Sequence, residues 1–237
     1  MNNKLLISVF LCLFVLSSVM FGKDKQFAGG VWVGSFIPQD WQIQGQHKVD
    51  YDASGETRWA GVEGFGNGND IILYGIYYFS DWGLRLECGV RLLHQKRKLD
   101  DLLAAESLEY DNQLNIIPVS LTLLHRLKIP DTKFSPYLGI GPSIYFASWE
   151  QKDIEQIVGM PLWRRWLKDS LSISIGVHML VGLEYPMSKG LFIGGEIKYS
   201  YVPSTWELED QDRGFVIEIK DLNIGGTSMR LGLSYRF

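Results

Sequence analysis

The chain has 237 residues, of which 23 are Lys or Arg and 27 are Asp or Glu, so its formal net charge is −4. This mildly acidic balance argues against a nucleic-acid partner. The length allows one domain of about 200 residues after a leader. No second apolar run of about 20 residues follows the N-terminal one, which excludes a protein that crosses a membrane with several helices.

The first 22 residues predict a secretory signal peptide. Lys4 precedes an apolar run over residues 5–21, and a polar stretch follows Gly22. A short positive region, an apolar core and a polar exit are typical of such signals, with an uncleaved membrane anchor as the alternative. We predict a signal over residues 1–22 and one domain over residues 23–237. Cys12 leaves with the signal, so Cys88 has no partner for an internal disulfide.

Eight later segments alternate between apolar and polar residues. Because successive side chains of a strand point to opposite faces, a period of two predicts strands with one apolar face. Several segments reach the roughly 9 to 11 residues that a tilted strand needs to cross a bilayer. The predicted strands cover residues 31–37, 71–79, 83–92, 114–124, 137–146, 171–185, 191–201 and 228–237.

The connections between these strands alternate in length. Long polar links cover residues 39–68, 99–112, 149–170 and 205–224, and the links between them are short. Tight turns on one rim and long loops on the other are typical of barrels in the cell outer membrane. A soluble lipocalin-type barrel, the alternative, buries its apolar face inward. We predict an all-β fold, an eight-stranded antiparallel up-and-down transmembrane β-barrel.

Aromatic residues cluster near the predicted strand ends. Trp and Tyr prefer the interface between bilayer and water, where they form belts around an aliphatic band. The predicted interface aromatics are Tyr78, Trp82, Trp149, Tyr185, Tyr199, Tyr201, Trp206, Tyr235 and Phe237.

Charged residues occupy the opposite face, which is predicted to line the lumen. They must pair, because burying an isolated charge costs several kcal/mol. An internal ion-pair network is the first interpretation and a gated proton or ion path is the second. An eight-stranded barrel has about enough room for its own side chains, so a wide pore is not expected. The predicted lumen residues are Arg85, Glu87, Arg91, His178, Glu184, Glu196, Lys198, Arg230 and Arg236.

The middle and the end of the chain carry a resemblance. IPVSLTLLHRL (residues 117–127) followed by PYLGIGPSIYF (residues 136–146) resembles the middle hairpin of the small outer-membrane barrel superfamily, which includes the OmpA transmembrane domain and OmpW. RLGLSYRF at the C-terminus resembles the family's closing strand. The resemblance implies that Phe237 is a signal for the outer-membrane assembly machinery, and it implies no particular activity.

No catalytic, cofactor or metal site is predicted. Some small outer-membrane barrels modify lipid A with a histidine and a serine, but His47, His94, His125 and His178 show no nucleophile and base spacing. No two histidines or cysteines have the spacing of metal ligands. A lipid A-modifying enzyme remains the alternative to a protein without enzymatic activity.

Two predicted loops carry charged motifs. Bases and indoles alternate before the sixth strand, where they would contact phosphates of lipopolysaccharide or serve as interface anchors. The candidate headgroup contacts are Trp163, Arg164, Arg165, Trp166 and Lys168. The acidic run Glu207, Glu209, Asp210 and Asp212 is interpreted as a solvated loop, with a calcium site as the alternative.

The sequence therefore predicts a monomeric outer-membrane barrel with a structural or surface-interaction role. Its expected partners are outer-membrane lipid, including lipopolysaccharide, and the assembly machinery. One alternative is an OmpW-like conduit for small apolar molecules, because Pro118 and Pro142 would each remove a donor from the strand ladder. Pro142 is predicted to face the lipid and Pro118 the lumen. The other alternative is an adhesin that acts through the long loops.

Overall fold

The structure is a computed structural model. It describes residues 27–38, 46–50, 57–61, 67–101, 106–157, 163–168, 171–210 and 216–237, with side chains over 27–38, 67–94, 113–150, 171–206 and 223–237. The predicted signal peptide lies outside the described residues. Within the described ranges, no helix has the length and apolarity to cross a bilayer.

Every regular element described is a strand. In chain order the strands are β1 (Phe27–Pro38), β2 (Gln46–Asp50), β3 (Thr57–Gly61), β4 (Gly68–Phe79), β5 (Trp82–Asp101), β6 (Glu106–Arg126), β7 (Ser135–Ile157), β8 (Trp163–Lys168), β9 (Ser172–Ser188), β10 (Leu191–Tyr201), β11 (Pro203–Asp210), β12 (Val216–Asn223) and β13 (Gly226–Arg236).

Eight of these strands close into an antiparallel barrel in the order β1-β4-β5-β6-β7-β9-β10-β13, with β13 paired back to β1. Tight turns join β4 to β5 and β9 to β10. Gly190 in the second turn has a φ of 80°, a conformation that glycine adopts without a steric penalty. The predicted eight-stranded antiparallel barrel is confirmed.

Within the described residues, the predicted long links over residues 39–68, 99–112, 149–170 and 205–224 all contain strands, which corrects their assignment as loops. β5 continues to Asp101, β6 begins at Glu106 and β7 continues to Ile157. The short strands β8, β11 and β12 extend the same sheet beyond β7, and β2 pairs with β3 as a separate hairpin. Outside a bilayer neither face of a strand has to be apolar. The hydrogen bonds between strands therefore continue beyond the point where apolar and polar residues stop alternating in the sequence.

The two faces of the barrel wall differ sharply in polarity. On β9, Ile175 is 69% exposed, whereas His178 is 2% exposed. On β13, Leu231 is 68% exposed and its neighbour Arg230 is 3% exposed. A continuous apolar outer face of this kind fits contact with lipid, and a soluble barrel would present the reverse arrangement. The lipocalin-type alternative is therefore excluded.

Candidate functional site in the barrel lumen

The structure places all nine predicted lumen residues on the inner face of the wall. Eight of them are at most 3% exposed. The ninth, Arg236, lies at the turn-side end of β13, and its side chain is 23% exposed. The nine residues divide into a central network and a smaller cluster at the turn-side mouth.

One end of the central network is centred on Asp70. Arg91 donates from Nε to Asp70 Oδ1 at 2.7 Å, and Arg230 donates from Nη2 to Asp70 Oδ2 at 3.1 Å. Arg91 Nη2 also donates to the hydroxyl of Ser228 at 3.0 Å. Sequence reasoning missed Asp70 because it began the strand at residue 71. Asp70 has the same parity as the inward-facing Ile72 and Tyr74, so alternation extended by one residue would have placed it on the inner face.

The middle of the network is a chain of alternating charges. Arg85 donates a hydrogen bond to Glu196 at 2.6 Å and forms an ion pair with Glu87 at 2.7 Å. Lys198 donates to the other oxygen of Glu87 at 2.5 Å. Arg230 lies 3.4 Å from the second oxygen of Glu196, which connects this chain to Asp70. Each carboxylate is therefore shared between cations, as burial away from water requires.

The network continues through uncharged side chains on β6, β7 and β9. Lys198 Nζ donates to Ser120 Oγ at 3.0 Å, and Ser120 Oγ lies 2.8 Å from Ser143 Oγ. His178 lies between two hydroxyls, with Ser143 Oγ 2.8 Å from Nδ1 and Thr122 Oγ1 2.8 Å from Nε2. Sequence spacing did not indicate the contact between Ser143 and His178. Both are at most 2% exposed, so the pair faces other lumen side chains rather than solvent.

Among the described residues, seven of the eight barrel strands supply polar side chains to this network, and β1 supplies none. Partners come from β4, β5, β6, β7, β9, β10 and β13. The large inward side chains of β1 are Trp32 and Phe36, which are buried and apolar. The network therefore ties seven strands together, while β1 completes the wall by packing.

The turn-side mouth holds two arginines on one carboxylate. Arg126 and Arg236 both donate to Glu184 Oε2, at 2.7 and 3.2 Å. Arg126 also donates to the hydroxyl of Tyr78 at 2.7 Å. Sequence reasoning missed Arg126 because it ended the fourth strand at residue 124, whereas β6 runs two residues further.

The loop-side end of the lumen is filled by apolar side chains. Trp149 and Trp206 meet edge to face with ring centroids 5.6 Å apart. The residues packed in this part of the lumen are each at most 1% exposed, and they include Phe36, Leu93, Leu114, Ile116, Trp149 and Trp206. A second apolar cluster containing Trp32, Ile76 and Leu124 lies toward the turns. The described lumen is thus filled by side chains.

Three of the predicted interface aromatics point inward instead. Tyr78 is 7% exposed, Trp149 1% and Trp206 0%, which corrects their assignment to the belts. The assignment used their distance along the strand and ignored alternation, which places all three on the inner face. The outward-facing members are Trp82, Tyr185, Tyr201, Tyr235 and Phe237, with Tyr199 half-buried.

The two remaining charged motifs lie largely on short strands at the loop side of the barrel. The segment from Trp163 to Lys168 forms β8, which pairs with β7. Glu207, Glu209 and Asp210 lie on β11, and Asp212 lies outside the described residues. Within the part of the chain that the structure describes, no three His, Cys, Asp or Glu residues are arranged to hold a metal ion.

Solved structures share this architecture. The outer membrane protein OprG from Pseudomonas aeruginosa superposes with a TM-score of 0.57 and 16% identity, over 89% of this chain and 95% of that one. Neisserial surface protein A gives a TM-score of 0.50 and 14% identity, over 92% of this chain and 100% of that one. The chain has the fold of these small outer-membrane β-barrels. Its apolar outer face agrees with a location in the outer membrane.

No family model matches the sequence of this barrel. No curated protein matches it either. At 14 and 16% identity, the two solved structures share the fold with this barrel. A shared fold does not determine the role, which depends on this barrel's own residues.

Proposed function

We propose that this barrel is a monomeric, non-enzymatic protein of the outer membrane with a structural role, and that its loop-side sheet is a surface for interactions. The observation that carries the proposal is the unequal height of the wall. β5, β6 and β7 have 20, 21 and 23 residues, whereas β1, β4, β10 and β13 have 11 or 12.

The long strands exceed what a bilayer requires. The shorter strands already match the roughly 9 to 11 residues of a membrane span. About ten further residues at roughly 3.3 Å each would extend a strand by about 30 Å. Above the membrane, β8 pairs with β7, β11 with β8 and β12 with β11. One side of the barrel is thus raised into a sheet that is available for contacts outside the cell.

The filled lumen supports a structural role over a diffusion pore. Its central charges are buried and paired, and apolar side chains occupy the loop-side end. The outer-membrane lipid surrounds the apolar face. At the C-terminus, the amide of Phe237 donates to the carbonyl of Phe27 at 2.9 Å, while the ring is 49% exposed. This arrangement leaves the terminal aromatic ring on the outside, where assembly machinery would reach it.

The experiment shortens the raised sheet without touching the barrel. Gln95 and Asn112 are directly paired, so replacing residues 96–111 with an Asn-Gly turn preserves the strands below. The matched control replaces residues 47–60 between the paired Gln46 and Gly61, which removes the separate hairpin. We expect the first deletion to lower adhesion of cells to matrix-coated surfaces and the second to leave adhesion unchanged. Equal adhesion of both variants and the intact barrel would reject the surface role.

A conduit for small apolar molecules is the second candidate, favoured by two interruptions of the ladder on either side of β6. The β5–β6 pairing stops after Cys88↔Val119 and resumes at Arg91↔Ile116, around Pro118. The β6–β7 pairing stops after Ser120↔Ser143 and resumes at Leu123↔Ile140, around Pro142. Proline lacks the N–H that a ladder needs, so both edges of β6 are weakened.

The two prolines face the sides that their parity in the sequence predicts. Pro118 is buried toward the lumen and Pro142 is exposed toward the lipid. Under the conduit hypothesis, Pro142→Val restores a ladder donor and abolishes passage of an apolar dye into proteoliposomes. Pro136→Val is the control, since Pro136 lies on the same strand outside the interruption. Unchanged passage in Pro142→Val would remove this candidate.

A further inference from the structure

We propose that the turn-side mouth of the barrel is a binding site for a phosphate group, held between Arg126 and Arg236. Both arginines are the last residues of their strands, β6 and β13, so their side chains lie at the rim. Their side chains are 18% and 23% exposed, whereas the central arginines are at most 1% exposed. The two guanidiniums are therefore accessible from the mouth.

The mouth carries more positive than negative charge. Both guanidiniums bond the same oxygen, Glu184 Oε2, so one carboxylate serves two cations. Arg236 Nε is buried and has no acceptor among the described residues. A buried donor of this kind costs free energy until an acceptor reaches it. An incoming oxyanion would supply that acceptor and the missing negative charge.

Aromatic rings orient the two guanidiniums. The Arg126 guanidinium carbon lies 3.9 Å from the centroid of the Tyr78 ring, and that of Arg236 lies 4.0 Å from the centroid of Phe192. Stacking occupies the face of a guanidinium and leaves its N–H edge for planar, two-point hydrogen bonds. Arginine forks fit phosphate oxygens in this way. The pair is thus already positioned before a ligand arrives.

The surrounding turns add attraction for an anion. Lys128, Lys133 and Lys189 lie on the turns of the same rim and are exposed. Lys128 pairs with Asp81 at 2.6 Å, and Asp131 offsets one of the other two lysines, so these turns add one net positive charge at the mouth. Two sources present the same chemistry there: the headgroup of an anionic phospholipid in the adjoining leaflet and a soluble phosphate of the periplasm.

The test measures binding of inorganic phosphate to the full barrel in an uncharged detergent by isothermal titration. Arg126→Gln and Arg236→Gln should each weaken binding about tenfold or more, as loss of a charge-assisted bond predicts. Lys128→Gln, on the same rim but outside the pair, should change it less than about twofold. Equal affinities in all four proteins, or no binding to the intact barrel, would overturn the proposal.

A fourth variant separates ligand binding from a purely structural role. Glu184→Gln removes the competing carboxylate charge, so phosphate affinity should rise if the arginines hold a ligand. If the cluster only stabilises the barrel, this variant loses stability and gains no affinity, which would contradict the proposal. The shift of the folded band on unheated gels confirms that each variant is folded.

Native mass spectrometry of the same proteins distinguishes the two phosphate sources. Retention of phosphatidylglycerol over phosphatidylcholine by the intact barrel, lost in Arg236→Gln, assigns the site to a lipid headgroup. Phosphate binding without such lipid retention assigns it to a soluble ligand. Neither lipid retention nor phosphate binding would reject the site in both forms.

Discussion

The centre of the lumen and its turn-side mouth contain the same pair of chemical groups, arginine and carboxylate, under different access to water. In the centre, Arg85 and Glu196 are both almost completely buried and bond at 2.6 Å. At the mouth, Arg236 is 23% exposed and shares Glu184 with a second arginine. Burial makes the central pairs structural, because a lone charge there has no water to solvate it. The mouth pairs are partly accessible to water.

The largest expected effect follows from breaking a central pair. Glu196→Gln leaves Arg85 and Arg230 short of a counter-charge and weakens the acceptor for the Tyr137 hydroxyl, 3.0 Å away. We expect a loss of about 3–5 kcal/mol in the free energy of unfolding, as for other buried pairs that lose one partner. Urea unfolding of the barrel in lipid vesicles measures it. A loss of stability below about 1 kcal/mol would show that the central charges are as accessible to water as an ion pair on the protein surface.

An intermediate effect is expected where the central network is uncharged. His178→Leu leaves Thr122 and Ser143 without the ring nitrogens that they contact at 2.8 Å. Ser143 keeps its contact with Ser120 at 2.8 Å, so the loss comes mainly from the Thr122 hydroxyl. An unsatisfied buried hydroxyl costs about 1–3 kcal/mol, so the loss of stability should be smaller than for Glu196→Gln. The same unfolding assay gives the value. Stability equal to that of the intact barrel would mean that the hydroxyls find other partners.

The smallest effect is expected at the exposed rim. The pair between Lys128 and Asp81 has side chains that are 78% and 39% exposed. Lys128→Gln should therefore change the free energy of unfolding by about 0–1 kcal/mol, and less at high salt. Unfolding at low and high ionic strength measures both expectations. A change as large as that of Glu196→Gln would remove the proposed contrast between centre and rim.

Local alternation explains which part of the site was predictable. The inward direction of Arg230 and the outward direction of Leu231 follow from a period of two that needs no knowledge of the neighbouring strands. Asp70 and Arg126 were missed because the predicted strands stopped just short of them, although the inward parity of each strand continues. Tyr78 and Trp149 were assigned to the outer face because they lie near strand ends. Their inward direction shows that alternation, and not distance along the strand, decides which face a side chain occupies.

The sequence by itself determined that this chain crosses a membrane as an eight-stranded barrel, because the alternation of apolar and polar residues is a local property that the bilayer imposes on each strand. Only the tertiary structure decided which charges meet. Arg85 and Glu196 are 111 residues apart along the chain, and barrel closure and shear bring them together. The same closure places two arginines on one glutamate at the mouth, which no spacing in the sequence indicates.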